Sequence, residues 1–245
     1  MPIDRNDALR RAEKLLRQGR LDAAVTAYTA IVDEFPHDLV TGNLLGDLLL
    51  RAGQIDRAVA QYTRVAERLV HEGFLPRAAA LYKKIIKIKP DDDTALARSA
   101  DLALKQGLSG EARVCLAGLY QARLRRGDLE GAAEAAIRRS TVDAGDVSGR
   151  LDAARLLADL GQAAAAAEQW RAAASVLYDQ GRRDEARRAL AEALALEPDH
   201  GETRDRFVDA LLQSGALDEA AGAAATAPQF GRVARALLSA GRAEA

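Results

Sequence analysis

Eight glycines stand at alternating intervals of 34 and 20 residues: Gly19, Gly53, Gly73, Gly107, Gly127, Gly161, Gly181 and Gly215. Each is followed five positions later by an alanine, namely Ala24, Ala58, Ala78, Ala112, Ala132, Ala166, Ala186 and Ala220. A helical hairpin needs this pair. Glycine enters the left-handed region without a Cβ clash and so closes one helix, and a small residue early in the next lets the two pack closely. Regular recurrence over this range is the mark of a repeat array, in which each unit buries its apolar face against its neighbours.

Composition narrows the class. Hydrophobic residues make up 49% of the chain and aromatics 4%, and alanine and leucine dominate, which suits many closely packed helices and predicts an all-α fold. The formal net charge of −1 offers no whole-chain attraction to nucleic acid or to an anionic membrane. Cys115 is the single cysteine, so neither a disulfide framework nor a metal-type cysteine spacing exists; it reads as a small buried apolar residue. The first residues run directly into a charged amphipathic helix without the apolar core of a signal peptide. Charges interrupt every helix before the roughly 20 apolar residues a membrane span requires. A cytoplasmic location is expected.

From Arg5 to Asp38, Ala12, Leu15 and Leu16 mark one helix, Ala24, Tyr28 and Ile31 mark the next, and Pro36 ends the hairpin. The segment 39–72 carries Leu45, Gly46, Leu49, Gly53, Ala58 and Tyr62, and 59–92 carries Ala66, Leu69, Gly73, Ala78, Tyr82, Ile85 and Pro90. This pattern resembles the tetratricopeptide repeat, a 34-residue helix-turn-helix unit. The resemblance implies a right-handed α-solenoid, a superhelix of antiparallel hairpins with about 14 helices.

Successive copies overlap, so that Ala58–Glu72, Arg113–Arg126 and Ala167–Gln180 each serve two hairpins. The period is then 54 residues and three helices, with Pro36, Pro90 and Pro198 as terminators and Ala144-Gly145-Asp146 in place of the missing proline. The organisation expected is one continuous array over 1–245, in units 1–36 (partial), 37–90, 91–144, 145–198 and 199–245 (degenerate). Helices are expected near 5–18, 21–34, 38–52, 55–72, 75–88, 92–106, 109–126, 129–142, 146–160, 163–180, 183–196, 200–214, 217–226 and 229–240. Arg123, Arg125 and Arg126 predict looser packing in the middle unit. Pro228 is expected to interrupt the helix after Ala220, and Leu237 and Leu238 to lack a covering element, which suggests a chain that continues or stacks on another copy.

Catalytic chemistry finds no foothold. Gly107-Leu-Ser-Gly and Gly127-Asp-Leu-Glu-Gly lack the lysine and the preceding strand of a nucleotide-binding loop. His37, His71 and His200 have no spacing that places two ligands on one helix face, and His37 and His200 read as exposed helix-start residues. No nucleophile is paired with a base. Neither a cofactor nor a metal is expected, and the chain does not read as an enzyme. Lys83, Lys84, Lys87 and Lys89 form the densest basic cluster, near a helix carboxyl end where cations are favourable. No aromatics accompany them for base stacking, so nucleic acid is not the expected partner.

In the resembled family the concave surface is lined by fixed positions of each first helix. The position often occupied by asparagine is Glu13, Asp47, Asp101, Arg155 and Asp209 here; the position four residues earlier gives Leu9, Asn43, Ala97, Leu151 and Asp205; and the position three residues later gives Leu16, Leu50, Leu104, Ala158 and Leu212. Two readings stand: ordinary polar residues facing solvent, or an acidic row beside an apolar row that receives a peptide with basic and apolar side chains. The candidate binding residues are Glu13, Asn43, Asp47, Leu50, Asp101, Leu104, Arg155, Asp205 and Asp209. Asn6 and Asn43 are the chain's only asparagines, and acids replace most of the cations with which family members grip acidic chaperone tails, so such a tail is not expected. A third helix per unit also rotates these positions away from a continuous groove. The function implied is a non-catalytic scaffold or adaptor for another protein, with a self-assembling module or the regulatory region of a longer protein as alternatives.

Overall fold

The computed structural model describes residues 4–241. Among them are fourteen α-helices and no strand: α1 Arg5–Arg17, α2 Leu21–Glu34, α3 Leu39–Arg51, α4 Ile55–His71, α5 Leu75–Ile88, α6 Asp93–Lys105, α7 Ser109–Arg126, α8 Leu129–Val142, α9 Val147–Asp159, α10 Ala163–Asp179, α11 Arg183–Leu196, α12 Gly201–Gln213, α13 Leu217–Ala223 and α14 Ala227–Ser239. The chain forms two compact units, 1–119 and 120–245, divided within α7. In the first unit each helix from α1 to α5 packs against the next, and in the second each from α8 to α13 does so.

The turns explain the regularity. All eight ruler glycines, and Gly241, have φ between 71° and 83°. At the first of them the amide of Arg20 donates to the carbonyl of Leu15, and the amide of Gly19 to that of Leu16, each at 3.0 Å. This pair of hydrogen bonds is the Schellman closure that satisfies the last carbonyls of a helix. A residue with a Cβ would strain that conformation. The eight alanines that follow are each 2% exposed or less, and lie where the next helix meets its predecessor.

The other joints use side-chain caps. Asp38, Asp92 and Asp146 precede α3, α6 and α9, and each carboxylate accepts the amide three residues on, from Thr41, Ala95 and Gly149. His200 does the same for α12 through Nδ1, which accepts from the Thr203 amide, so it is a half-buried cap and not an exposed residue. His37 is exposed beside Arg68.

In the first unit, Tyr28, Tyr62 and Tyr82 fill the core, each 1% exposed or less. Close approach of α3 to α4 depends on two glycines: a Cβ on Gly42 would lie 2.9 Å from a Val65 methyl, and one on Gly46 within 2.9 Å of three Tyr62 ring atoms. The second unit is built on smaller side chains. Ala166, Ala167, Ala173 and Ala174 on α10 are 1% exposed or less, and Trp170 and Leu177 supply the bulk.

Two further sequence expectations are corrected in the second unit. The helix α13 ends at Ala223, and Pro228 does not break it; the proline sits in the first turn of α14, where its missing N–H is no loss. Gln229, 1% exposed, joins the two elements by accepting the Ala225 and Thr226 amides and donating to Asp205. Leu237 is covered, packing with Val208, Leu211 and Val233, whereas Leu238 is 62% exposed. Arg123, in the middle unit, is 20% exposed and donates to the Gly131 carbonyl at 2.7 Å.

Candidate partner-binding site

The acidic positions read from the sequence are engaged within the chain. Asp47 on α3 accepts the Tyr62 hydroxyl from α4 at 2.6 Å and pairs with Lys84 from α5, whose ammonium lies 4.4 Å from the centre of the Tyr62 ring. Burial pushes the Tyr62 hydroxyl pKa up, and the neighbouring carboxylate adds to it. Burial pulls the Lys84 ammonium down, but its bonds to Asp47 and Tyr62 outweigh this and hold it above its ordinary value. Three helices are thus tied through one carboxylate. The arrangement recurs one helix later, where Glu67 accepts the Tyr82 hydroxyl at 2.7 Å and pairs with Arg98 at 2.9 Å. Burial first, and then Glu67, raise the Tyr82 hydroxyl far above its ordinary value.

Elsewhere the same economy holds. Arg232 on α14 binds Asp205 at 2.7 Å and Asp209 at 3.0 Å. Glu13 is exposed and stands 4.0 Å from Arg17, while Arg155 is exposed on α9. The lysine cluster separates into Lys83 with Glu111, Lys84 with Asp47 and Lys89 with Asp56. Cys115 is half-buried, its thiol pushed up by burial and by Glu111. No group of histidine, cysteine and carboxylate side chains among the described residues is arranged to hold a metal ion. No helix among them is long and apolar enough to cross a membrane.

Within the first unit the candidate residues divide between two clefts. Asn43 lines a cleft of about 440 Å³ between α3 and α5, with α4 as its floor. Asp101 and Leu104 line a separate one of about 310 Å³ between α4 and α6, over Tyr82. In the second unit Asp209 lines a smaller cleft between α10 and α12. Leu50 is half-buried on α3 and lines none of these.

The α3–α5 cleft differs from the others in its lining. Leu39, Val40, Val65, Leu69, Ala80 and Leu81 make it predominantly apolar, Asn43, Arg77 and Lys84 supply the polar groups, and no acidic residue takes part. Val40 is 81% exposed. The Asn43 Oδ1 is shielded from solvent and has no hydrogen-bond partner. Arg77 lies over the Phe74 ring, 5.3 Å from its centre.

The second unit repeats these helices with a different surface. The starts of α3, α4 and α5 at 39, 55 and 75 are matched by α9, α10 and α11 at 147, 163 and 183, a constant offset of 108 residues. At that offset Val40 becomes Ser148, Asn43 becomes Leu151, Arg77 becomes Glu185, Ala80 becomes Arg188, Leu81 becomes Ala189 and Lys84 becomes Glu192. The turn glycines and packing alanines are unchanged between the copies, so the fold does not require the residues that make the first cleft apolar and cationic. Sequence reasoning missed Val40, Arg77 and Leu81 because it followed first-helix positions; comparing the copies residue by residue carries the signal.

The family comparison agrees with the architecture. The tetratricopeptide repeat family model matches residues 15–71 and 177–244, together just over half of the chain, and the chain belongs to that family. No curated protein matches the sequence. Similar solved structures include a tetratricopeptide repeat protein from Parabacteroides merdae, 14% identical over 84% of this chain and 98% of that one, with a TM-score of 0.24. Another is TTC0263 from Thermus thermophilus, 23% identical over 85% of this chain and 100% of that one, at 0.23. YrrB, described as having an unusual peptide-binding site, is 18% identical over 72% of this chain and 95% of that one, at 0.25. Membership rests on the family model.

Proposed function

We propose that the chain is a non-catalytic interaction scaffold whose α3–α5 cleft receives a segment of a partner protein. Tetratricopeptide repeat proteins are in general interaction modules without catalysis of their own. The observation that carries the reading here is the exposed apolar lining around Val40, held open between two helices and absent from the equivalent helices of the second unit. Apolar pockets with a few convergent polar groups are where ligands and peptide side chains dock. The carboxylates that led to the expectation of a basic partner, Asp47, Asp205 and Asp209, are occupied by Lys84 and Arg232, so the reading rests on the cleft and not on an acidic row. The continuous array of 54-residue units belongs to the same proposal, supported by the starts of α3, α6, α9 and α12 at 39, 93, 147 and 201.

The test is selection of short random peptides displayed on phage against the full chain, followed by binding to the double variant Val40→Ser, Leu81→Ala. Both replacements are neutral and copy Ser148 and Ala189, so circular dichroism should show an intact fold. Peptides that recognise the cleft lose about tenfold in affinity, corresponding to about 1.4 kcal/mol. A library that yields no binders, or binders indifferent to the double variant, refutes the assignment.

A further inference from the structure

We propose that the segment held in this cleft is acidic as well as apolar: a bulky apolar side chain enters between α3 and α5 while a neighbouring carboxylate of the partner pairs with Arg77. The inference rests on the reading of the α3–α5 cleft as the binding site, and adds the charge of its occupant. Its basis is an imbalance at the cleft. None of the lining residues is acidic, and both charged ones, Arg77 and Lys84, are cationic.

The two cations are in different situations. Lys84 is committed to Asp47, so its charge is answered inside the chain. Arg77 is exposed on α5 and has no carboxylate partner among the described residues; its neighbour is the Phe74 ring. A ring face steadies and orients a guanidinium but leaves its net charge in place. A planar guanidinium presented in this way is suited to a carboxylate, which it can grip through two parallel hydrogen bonds. The apolar surroundings lower the local dielectric once the cleft is filled, which strengthens such a pair and penalises a cation brought in by the wrong partner.

The other copies show that Arg77 does not serve the scaffold. The equivalent position is Gly131 in α8 and Glu185 in α11. Glu185 is bound by Arg182 of its own turn at 2.7 Å, so the charge there is both reversed and neutralised. Arg77 therefore marks the first cleft in sign and in availability.

The same phage selection tests the charge independently of the site. Peptides enriched on the full chain should combine apolar residues with Asp or Glu, weaken as salt is raised, and lose about tenfold on Arg77→Glu, a replacement the second unit already accommodates as Glu185. Reselection on Arg77→Glu should enrich Lys and Arg instead. Peptides that lose affinity in Val40→Ser, Leu81→Ala but show no acidic preference and bind Arg77→Glu unchanged overturn the acidic occupant and leave the cleft standing. Peptides indifferent to both changes overturn the cleft itself. Displacement of the selected peptides by a single-stranded oligonucleotide would also overturn the proposal, because the anion recognised would then be a phosphate.

Discussion

Replacing Gly46 by alanine probes the closest helix contact of the first unit. In an exposed helix interior this change stabilises by about 1 kcal/mol, because alanine loses less backbone entropy. Here the new methyl would lie within 2.9 Å of three atoms of the Tyr62 ring, which is fully buried. Over-packing of this kind costs about 1–3 kcal/mol. A displaced ring also loosens the 2.6 Å hydroxyl bond to Asp47; hydrogen bonds to charged groups contribute about 1.5–3 kcal/mol, and the partial exposure of Asp47 (42%) places this one at or below the lower end. The net expectation is a loss of about 2 kcal/mol, opposite in sign to helix propensity alone. Urea unfolding followed by circular dichroism measures it. The fluorescence of Trp170, the only tryptophan, separately follows the second unit, in which it is packed. A Tyr62→Ala background supplies the control: with the ring gone, Gly46→Ala should become stabilising by about 1 kcal/mol. If Gly46→Ala stabilises the chain with Tyr62 present, the argument that glycine is there for the ring is refuted.

The remaining expectations concern polar groups. Asn43→Leu removes an acceptor that is shielded and unpartnered and installs the residue found at the equivalent place, Leu151, so the urea midpoint should rise by the equivalent of about 1 kcal/mol; an unchanged or lower midpoint would show that Asn43 is satisfied in solution. Burial pushes the Asp146 carboxyl up, but the Ser148 hydroxyl, the Gly149 amide and Arg139 outweigh it and hold the folded-state pKa below its ordinary value. Since the folded value lies below the unfolded one, the stability this cap contributes is complete above about pH 4 and is lost as pH falls through the lower folded value. Asp146→Asn keeps a capping oxygen but removes the charge that pairs with Arg139 at 2.8 Å, so it should lower stability near neutrality by about 1 kcal/mol and flatten the acid limb of the stability profile, and a parallel, undiminished limb would contradict the assignment.

Helix positions were legible because they depend on local chemistry. Gly19 and its seven counterparts specify where one helix must close, whatever surrounds them, and Asp38, Asp92 and Asp146 specify where the next begins. Most helix ends consequently fall within a residue of their expected places. Pro228 was misread because the same residue breaks a helix from inside and opens one from its first turn; which of these applies depends on how α12 and Gln229 seat the preceding chain. Arg123 shows the same dependence on tertiary context. It occupies a leucine slot, Leu69 in the first copy, where the Gly131 carbonyl and the carboxylates of Asp128 and Glu134 receive the guanidinium.

The binding surface was less legible. Asp47 and Asp209 were placed on the first helices they occupy, yet the sequence carries no local mark of Lys84 and Arg232, which reach them from helices farther along the chain. By itself the sequence determined an all-helical repeat, its joints and its small packing residues, since these follow from backbone conformation and the spacing of side chains along one helix. Only the tertiary structure decided which charges cancel, which remain, and where apolar side chains stay uncovered, because each of those outcomes depends on side chains brought together from different helices.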